Sequence, residues 1–139
     1  MRYLLDTCVV SEGMIPHPSP TVLEFLDSLE PEQAYLSVLA VAELRRGIDR
    51  LPESRKKTAL ERWFNDDLMV EYAGQIVGVD LRAALVWGSL VARLERTGRI
   101  LPVTDSWMAA VAIAGDLVLV TRNIKDVADA GARVLNPWQ

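Results

Sequence analysis

The run Leu117-Val118-Leu119-Val120 constrains this chain more than any other stretch. Four consecutive aliphatic side chains leave no polar face, so an extended segment of this kind must be covered on both sides, as a strand is inside a parallel sheet sandwiched by helices. The rest of the chain supplies the other layers. Tyr3-Leu4-Leu5 is a second short apolar run that stops at Asp6-Thr7, which predicts a buried strand ending in a polar turn. Ser19-Pro20 reads as an N-cap followed by proline at the first helical position, and Val22, Phe25, Leu26 and Leu29 follow at helical spacing, so a helix is expected up to about Pro31. Ala34-Tyr35-Leu36 predicts another strand, after which Ser37 caps a helix carrying Val38, Val41, Leu44 and Ile48 in one stripe.

Residues 53–68 predict an amphipathic helix with Leu60, Trp63, Phe64 and Leu68 on its apolar face, and Ile76-Val77-Gly78-Val79 a strand. The helical segment that follows, with Leu81, Leu85, Val91 and Leu94, is closed by Gly98. Pro102 to Asp105 leads into a helix of small residues, Ser106 to Ala114, ended by Gly115. Thr121-Arg122-Asn123 is the polar exit of the Leu117–Val120 strand, and Val134-Leu135 a last edge strand. Strands alternating with helices predict an α/β fold, a three-layer α/β/α sandwich around a central, mostly parallel sheet reached by right-handed crossovers.

With 139 residues, half of them hydrophobic, the chain is expected to be a single domain, 1–139, with a core of its own. The lone Cys8 excludes an internal disulfide and any Cys-pair redox or zinc motif, and fits a reducing, cytoplasmic setting. His17 is the only histidine, so a metal would have to sit on oxygen ligands, which suits a hard cation. An acid at position 6 interrupts the N-terminal region too early for a signal peptide. The longest apolar stretch, Trp107 to Ala114, falls well short of the ~20 residues that cross a bilayer, so no membrane partner is expected. A net charge of −4 argues against coating nucleic acid by counterion release, although acids gathered in one site with arginines on its rim are compatible with that total.

In folds of this class ligands bind beyond the carboxyl ends of the strands, which points to Asp6, Thr121, Asn123 and Asp126. Glu43 interrupts an apolar helix and Asp105 opens another, so Asp6, Glu43, Asp105 and Asp126 could share one crevice. Clustered carboxylates resist ionisation unless a cation compensates, and such a cation can activate water against a phosphodiester. Each acid alone also has an ordinary structural use. Asp6 can terminate a strand, Asp105 can cap a helix, Glu43 can pair with Arg46 one turn on, and Asp126 can solvate a polar loop. The functional reading rests on the set.

Leu4-Leu5-Asp6-Thr7, the segment S-V-L-A-V-A-E-L-R-R-G from Ser37 to Gly47, D-S-W-M-A-A from Asp105 to Ala110, Thr121-Arg122-Asn123 with Asp126, and Asn136-Pro137-Trp138 resemble, in this order and over essentially the whole chain, the PIN domains, in particular the VapC-type toxins of toxin-antitoxin pairs. The resemblance implies a ribonuclease that holds Mg²⁺ or Mn²⁺ on Asp6, Glu43 and Asp105, with Asp126 as a fourth acid. It places Thr7, Thr121 and Asn123 around the site and makes the RNA the substrate. It further implies a homodimer, and a cognate antitoxin that wraps the toxin and covers the acidic crevice. Two positions depart from the family pattern: Cys8 stands where Asn is usual, and Val127 where an aromatic is usual. Arg45, Arg46 and Arg122, adjacent to these motifs, are the candidates for phosphate contacts, with solvated surface as the alternative; the tryptophans are assigned to packing. The competing functions are a metal-dependent phosphatase or phosphotransfer domain, disfavoured because Cys8 occupies the place of a second Asp, and a PIN-like protein that binds without turnover.

Overall fold

The computed structural model describes all 139 residues, Met1–Gln139. Five strands, β1 (Tyr3–Leu5), β2 (Ala34–Ser37), β3 (Ile76–Val77), β4 (Val118–Val120) and β5 (Val134–Leu135), form one sheet in the order β3-β2-β1-β4-β5. Every neighbouring pair is parallel, so the sheet expected to be mostly parallel is wholly so. The chain builds outward from β1 through β2 to β3, then crosses back to place β4 on the other side of β1. That reversal leaves a switch point beyond the carboxyl ends of β1 and β4, the position where sheets of this kind accept ligands.

Side-chain alternation along the strands divides the core. Leu5, Leu36 and Val120 face one side with Val9, Val22, Ile48, Phe64 and Leu68, whereas Leu4 and Leu119 face the other with Met108, Val111 and Ala112. Helices cover both faces, which completes the three layers. On the first side lie α1 (Thr7–Val10), α2 (Pro20–Ser28) and α4 (Arg55–Arg62), with α3 (Val38–Asp49) reaching both cores through Ile48 and Ala40. On the second lie α6 (Leu81–Arg96), α7 (Val103–Ala114) and α8 (Ile124–Asp129), with α4 continuing through π-type turns at Trp63–Leu68 into α5 (Met69–Glu71) on the first. Leu119 is 1% exposed at the centre of the β1–β4 pairing, opposite Leu4, and truncating it to Ala is expected to cost about 2–5 kcal/mol.

Local chemistry explains most helix starts. The Ser19 and Ser37 hydroxyls accept from the Val22 and Leu39 amides, as the sequence predicts. The alanines of α7, with Ala109, Ala110 and Ala112 completely buried, let it lie close against α6 and the sheet.

Several elements differ from expectation. The polar turn expected after Asp6 is the helix α1, because Asp6 takes an extended backbone and its carboxylate accepts the Thr7 amide as an N-cap. The helix expected over residues 53–68 starts at Arg55 and changes to π-type hydrogen bonding from Trp63, which keeps Phe64 and Leu68 buried together. Ile76–Val79 shortens to two residues. Asp126 lies within α8 instead of a loop. Asp105 does not open its helix: α7 begins two residues earlier, and Asp105 sits in its first turn without capping it. At the end of α7 the left-handed residue is Asp116, with φ 54°, and Gly115 keeps a negative φ.

Candidate active site

The end of β1 delivers Asp6 to the switch point, and the chain fixes it there from several directions. Its backbone amide donates to the Val120 carbonyl at 2.9 Å, which ties it to the end of β4. One carboxylate oxygen accepts the Thr7 amide at 2.8 Å; the other accepts the Thr121 hydroxyl at 2.8 Å, and the Cys8 thiol lies 3.8 Å from it. Thr121 is buried, so its hydroxyl has few other partners and works as a brace across the β1–β4 junction. Burial is the main influence pushing the Cys8 thiol above its ordinary pKa, with Asp6 adding to it against opposing hydrogen bonds, so the sulfur stays protonated and is no nucleophile.

Asp105 and Asp126 are held on the far side of this junction by one amide. The Asn123 side-chain nitrogen donates to Asp105 at 3.2 Å and to Asp126 at 3.3 Å, while its backbone nitrogen donates to the Thr121 hydroxyl at 3.2 Å. Thr121 and Asn123 together therefore link three of the four acids through a single loop. Glu43 completes the rim from the open face of α3.

Two of these carboxyls, Glu43 and Asp105, respond to their acidic neighbours. Crowding by protein on one side, then repulsion from Asp6 and Asp105, raises the Glu43 pKa, which Arg46 partly opposes. The Asp105 carboxyl is raised by desolvation, then by Asp6, with Asp126 adding and the Asn123 hydrogen bond opposing. Repulsion only partly offset within the protein makes such a group of carboxylates receptive to a hard cation. The spacing is nonetheless that of an open crevice: no three of the carboxylates converge into a ready metal cage. By donor chemistry the set suits a hard divalent cation; by geometry it is an open cradle that a cation would have to draw together.

The basic candidates separate. Arg46 lies near enough to ease the charge on Glu43. Arg45 instead pairs with Asp49 at 3.2 Å along α3 and lies over the Phe64 ring, which engages it as a structural group. Arg122 turns toward Glu12 and the ring of Trp138. Thr7 contributes its amide and, more weakly, its hydroxyl to Asp6.

Sequence reasoning missed Arg99, which pairs with Asp126 at 3.8 Å and also with Asp129. No sequence signal marks it, since a lone arginine after a helix-ending glycine resembles any surface residue. It also missed Glu12. An acid between Ser11 and Gly13 looks solvated, and only the fold buries it.

Comparison with known proteins agrees with this architecture. The family model for the PIN domain matches residues 3–130. VapC ribonuclease Y4jK of Sinorhizobium fredii is 31% identical over 136 residues, covering 98% of this chain and 97% of that protein. Toxin FitB of Neisseria gonorrhoeae is 34% identical over 135 residues, with 97% of each chain covered. The crystal structure of FitAcB from Neisseria gonorrhoeae superposes with a TM-score of 0.93 at 34% identity, covering 99% of both chains.

Proposed function

This chain belongs to the PIN domain family, and from that premise we propose that it is the toxin of a toxin-antitoxin pair, an endoribonuclease that hydrolyses RNA phosphodiester bonds at the crevice between β1 and β4. The observation that carries the reading is the mutual repulsion of Asp6, Glu43 and Asp105 across the switch point, with Asp126 tied in through Asn123. Carboxylates that repel one another beyond the ends of two neighbouring strands are the arrangement suited to binding a cation and, through it, a phosphodiester.

Asp6, Glu43 and Asp105 are the residues that would hold Mg²⁺ or Mn²⁺, and Asp126 is the fourth acid. When bound, the ion would lower the pKa of a water and offset charge developing on the phosphodiester. The chain's own groups prepare that site. Thr7 and Thr121 hold both Asp6 oxygens in fixed directions, Asn123 bridges Asp105 and Asp126 by donating to each, and Arg46 moderates the charge at Glu43. Arg122 supplies a positive group at the rim for substrate phosphates. No helix is long and apolar enough to cross a membrane. The assignment carries with it a cytoplasmic location, a homodimer, and a cognate antitoxin that covers the crevice.

A second reading, a PIN protein that binds without turnover, draws on the absence of a ready cage among the acids. One experiment separates them. Purified chain free of antitoxin should cut single-stranded RNA with Mg²⁺ or Mn²⁺ and stop on addition of EDTA. RNA bound but left intact would favour the binding reading, and cleavage indifferent to EDTA would remove the metal. Release of phosphate from small phosphoesters with RNA untouched would favour a phosphatase.

A further inference from the structure

Glu12 is the one charged side chain buried in this fold, 4% exposed. A carboxylate gives up strong hydration on burial and is retained only where partners compensate. Here one oxygen accepts the Ser19 amide at 2.7 Å, and the other faces the Arg122 guanidinium at 3.9 Å. The same guanidinium lies 4.0 Å from the centre of the Trp138 ring, within cation–π range. Trp138 is itself anchored. It packs against the first core, and its amide donates to the Asn136 side chain at 2.9 Å, just past the strand whose Leu135 carbonyl accepts the Thr121 amide at 3.0 Å.

Three distant stretches of chain thus converge on one guanidinium: the turn before α2, the exit of β4 and the C-terminal residues. Arg122 nevertheless stays 60% exposed and pairs with none of Asp6, Glu43, Asp105 or Asp126. Its chain neighbours do touch them, Thr121 reaching Asp6 and Asn123 reaching Asp105 and Asp126. Arg99 makes the contrast, since its charge is already taken up by Asp126 and Asp129. An arginine packed by its face on an indole keeps its edge N–H groups free, and that fork matches a phosphate.

We propose that Glu12 and Trp138 are positioning residues that hold the Arg122 guanidinium at the rim of the carboxylate crevice, where it receives a phosphate of the RNA backbone. The identity of the ligand rests on the nuclease reading; the positioning of Arg122 does not. Trp138, three residues after β5, thereby belongs to the substrate-binding surface.

The test is binding of a fluorescently labelled single-stranded RNA to the full chain carrying Asp6→Asn, followed by anisotropy across a range of salt. Arg122→Ala should weaken binding roughly tenfold and flatten the salt slope by about 0.7, the loss of one phosphate contact on a single strand. Trp138→Ala and Glu12→Gln should each reproduce part of both effects, with Trp138→Phe restoring most of the affinity. Adding Trp138→Ala to Arg122→Ala should cost nothing further, as coupled residues behave. If Trp138→Ala does not fold, Trp138→Leu, which keeps apolar bulk without a ring face, and Glu12→Gln carry the measurement. Parent affinity and slope in Trp138→Ala and Glu12→Gln, or losses that add to that of Arg122→Ala, overturn the proposal. Wild-type protein that binds RNA in this pattern yet never cuts it overturns the nuclease reading and leaves the positioning intact.

Discussion

The two ends of the sheet are built from similar residues and treat charge in opposite ways. At the amino ends of the strands Arg133 donates to Asp116 at 2.8 Å, Arg2 donates to the Gly115 carbonyl at 3.1 Å, and Gln33 donates to the Met1 carbonyl at 3.0 Å. These three side chains each meet a complement. At the carboxyl ends Asp6, Glu43, Asp105 and Asp126 line one open crevice without converging, Arg46 offsets Glu43 only in part, and the other nearby cations are largely engaged elsewhere. Arg99 reaches Asp126 alone among them, and Arg122 is turned to Glu12. The matched end closes the fold; the unmatched end stores a deficit of positive charge that a ligand can fill.

That contrast is tested first at the acids. Asp6→Asn should keep the fold and lower RNA cleavage by roughly 10²–10³-fold, about 3–4 kcal/mol of barrier, measured as kcat/KM on a labelled RNA. Activity close to wild type would show that the unmatched charge is incidental. Next in size is the ion itself. EDTA should abolish cleavage, Mg²⁺ or Mn²⁺ should restore it, and either ion should raise Tm by binding only the folded cradle.

A smaller effect follows from the raised pKa values of Glu43 and Asp105, whose ordinary values are 4.5 and 3.8. A carboxyl raised on folding binds more protons in the native state than in the unfolded chain, between its ordinary and its raised value. The metal-free fold therefore loses stability as pH climbs through that interval, and the loss is complete above it. Chemical denaturation at several pH values should show this slope, and saturating Mg²⁺ should flatten it. A slope unchanged by Mg²⁺ would place the metal elsewhere. Smallest of all, Arg133→Ala at the opposite end should change stability by no more than about 0.5 kcal/mol and leave cleavage unaltered, because an ion pair this exposed contributes little.

Much of the architecture can be read from residue spacing, because its causes are local. A four-residue apolar run has to be covered on both faces, and serine before a helical stripe caps it, whatever the rest of the molecule does. The acids stand out for another reason: Asp6 and Asp126 lie beyond strand ends and Glu43 interrupts an apolar helix, whereas Asp105, read as the opening of a helix, draws notice only beside the other three. What escapes the sequence is set by contacts between distant segments. Glu12 looks like a solvated acid until α1 and α2 fold over it, and Arg99 is unremarkable until the turn before α7 brings it to α8. Arg45 and Arg46 look equivalent in sequence, yet one helical step of rotation sends the first toward Asp49 and leaves the second beside Glu43. The start of α7 and the helical setting of Asp126 escape as well, since short polar segments satisfy loop and helix patterns equally.

The hydrogen bond from Thr121 to Asp6 joins residues 115 positions apart. A ribosome making this chain releases Asp6 well before the Thr121 hydroxyl that braces it, 115 residues further on. Until then β1 lacks its β4 neighbour, and the switch point does not exist. Assembly of the crevice therefore waits for β4, and a nascent chain that has not yet released that strand has no finished blade to turn on the RNA of the ribosome making it.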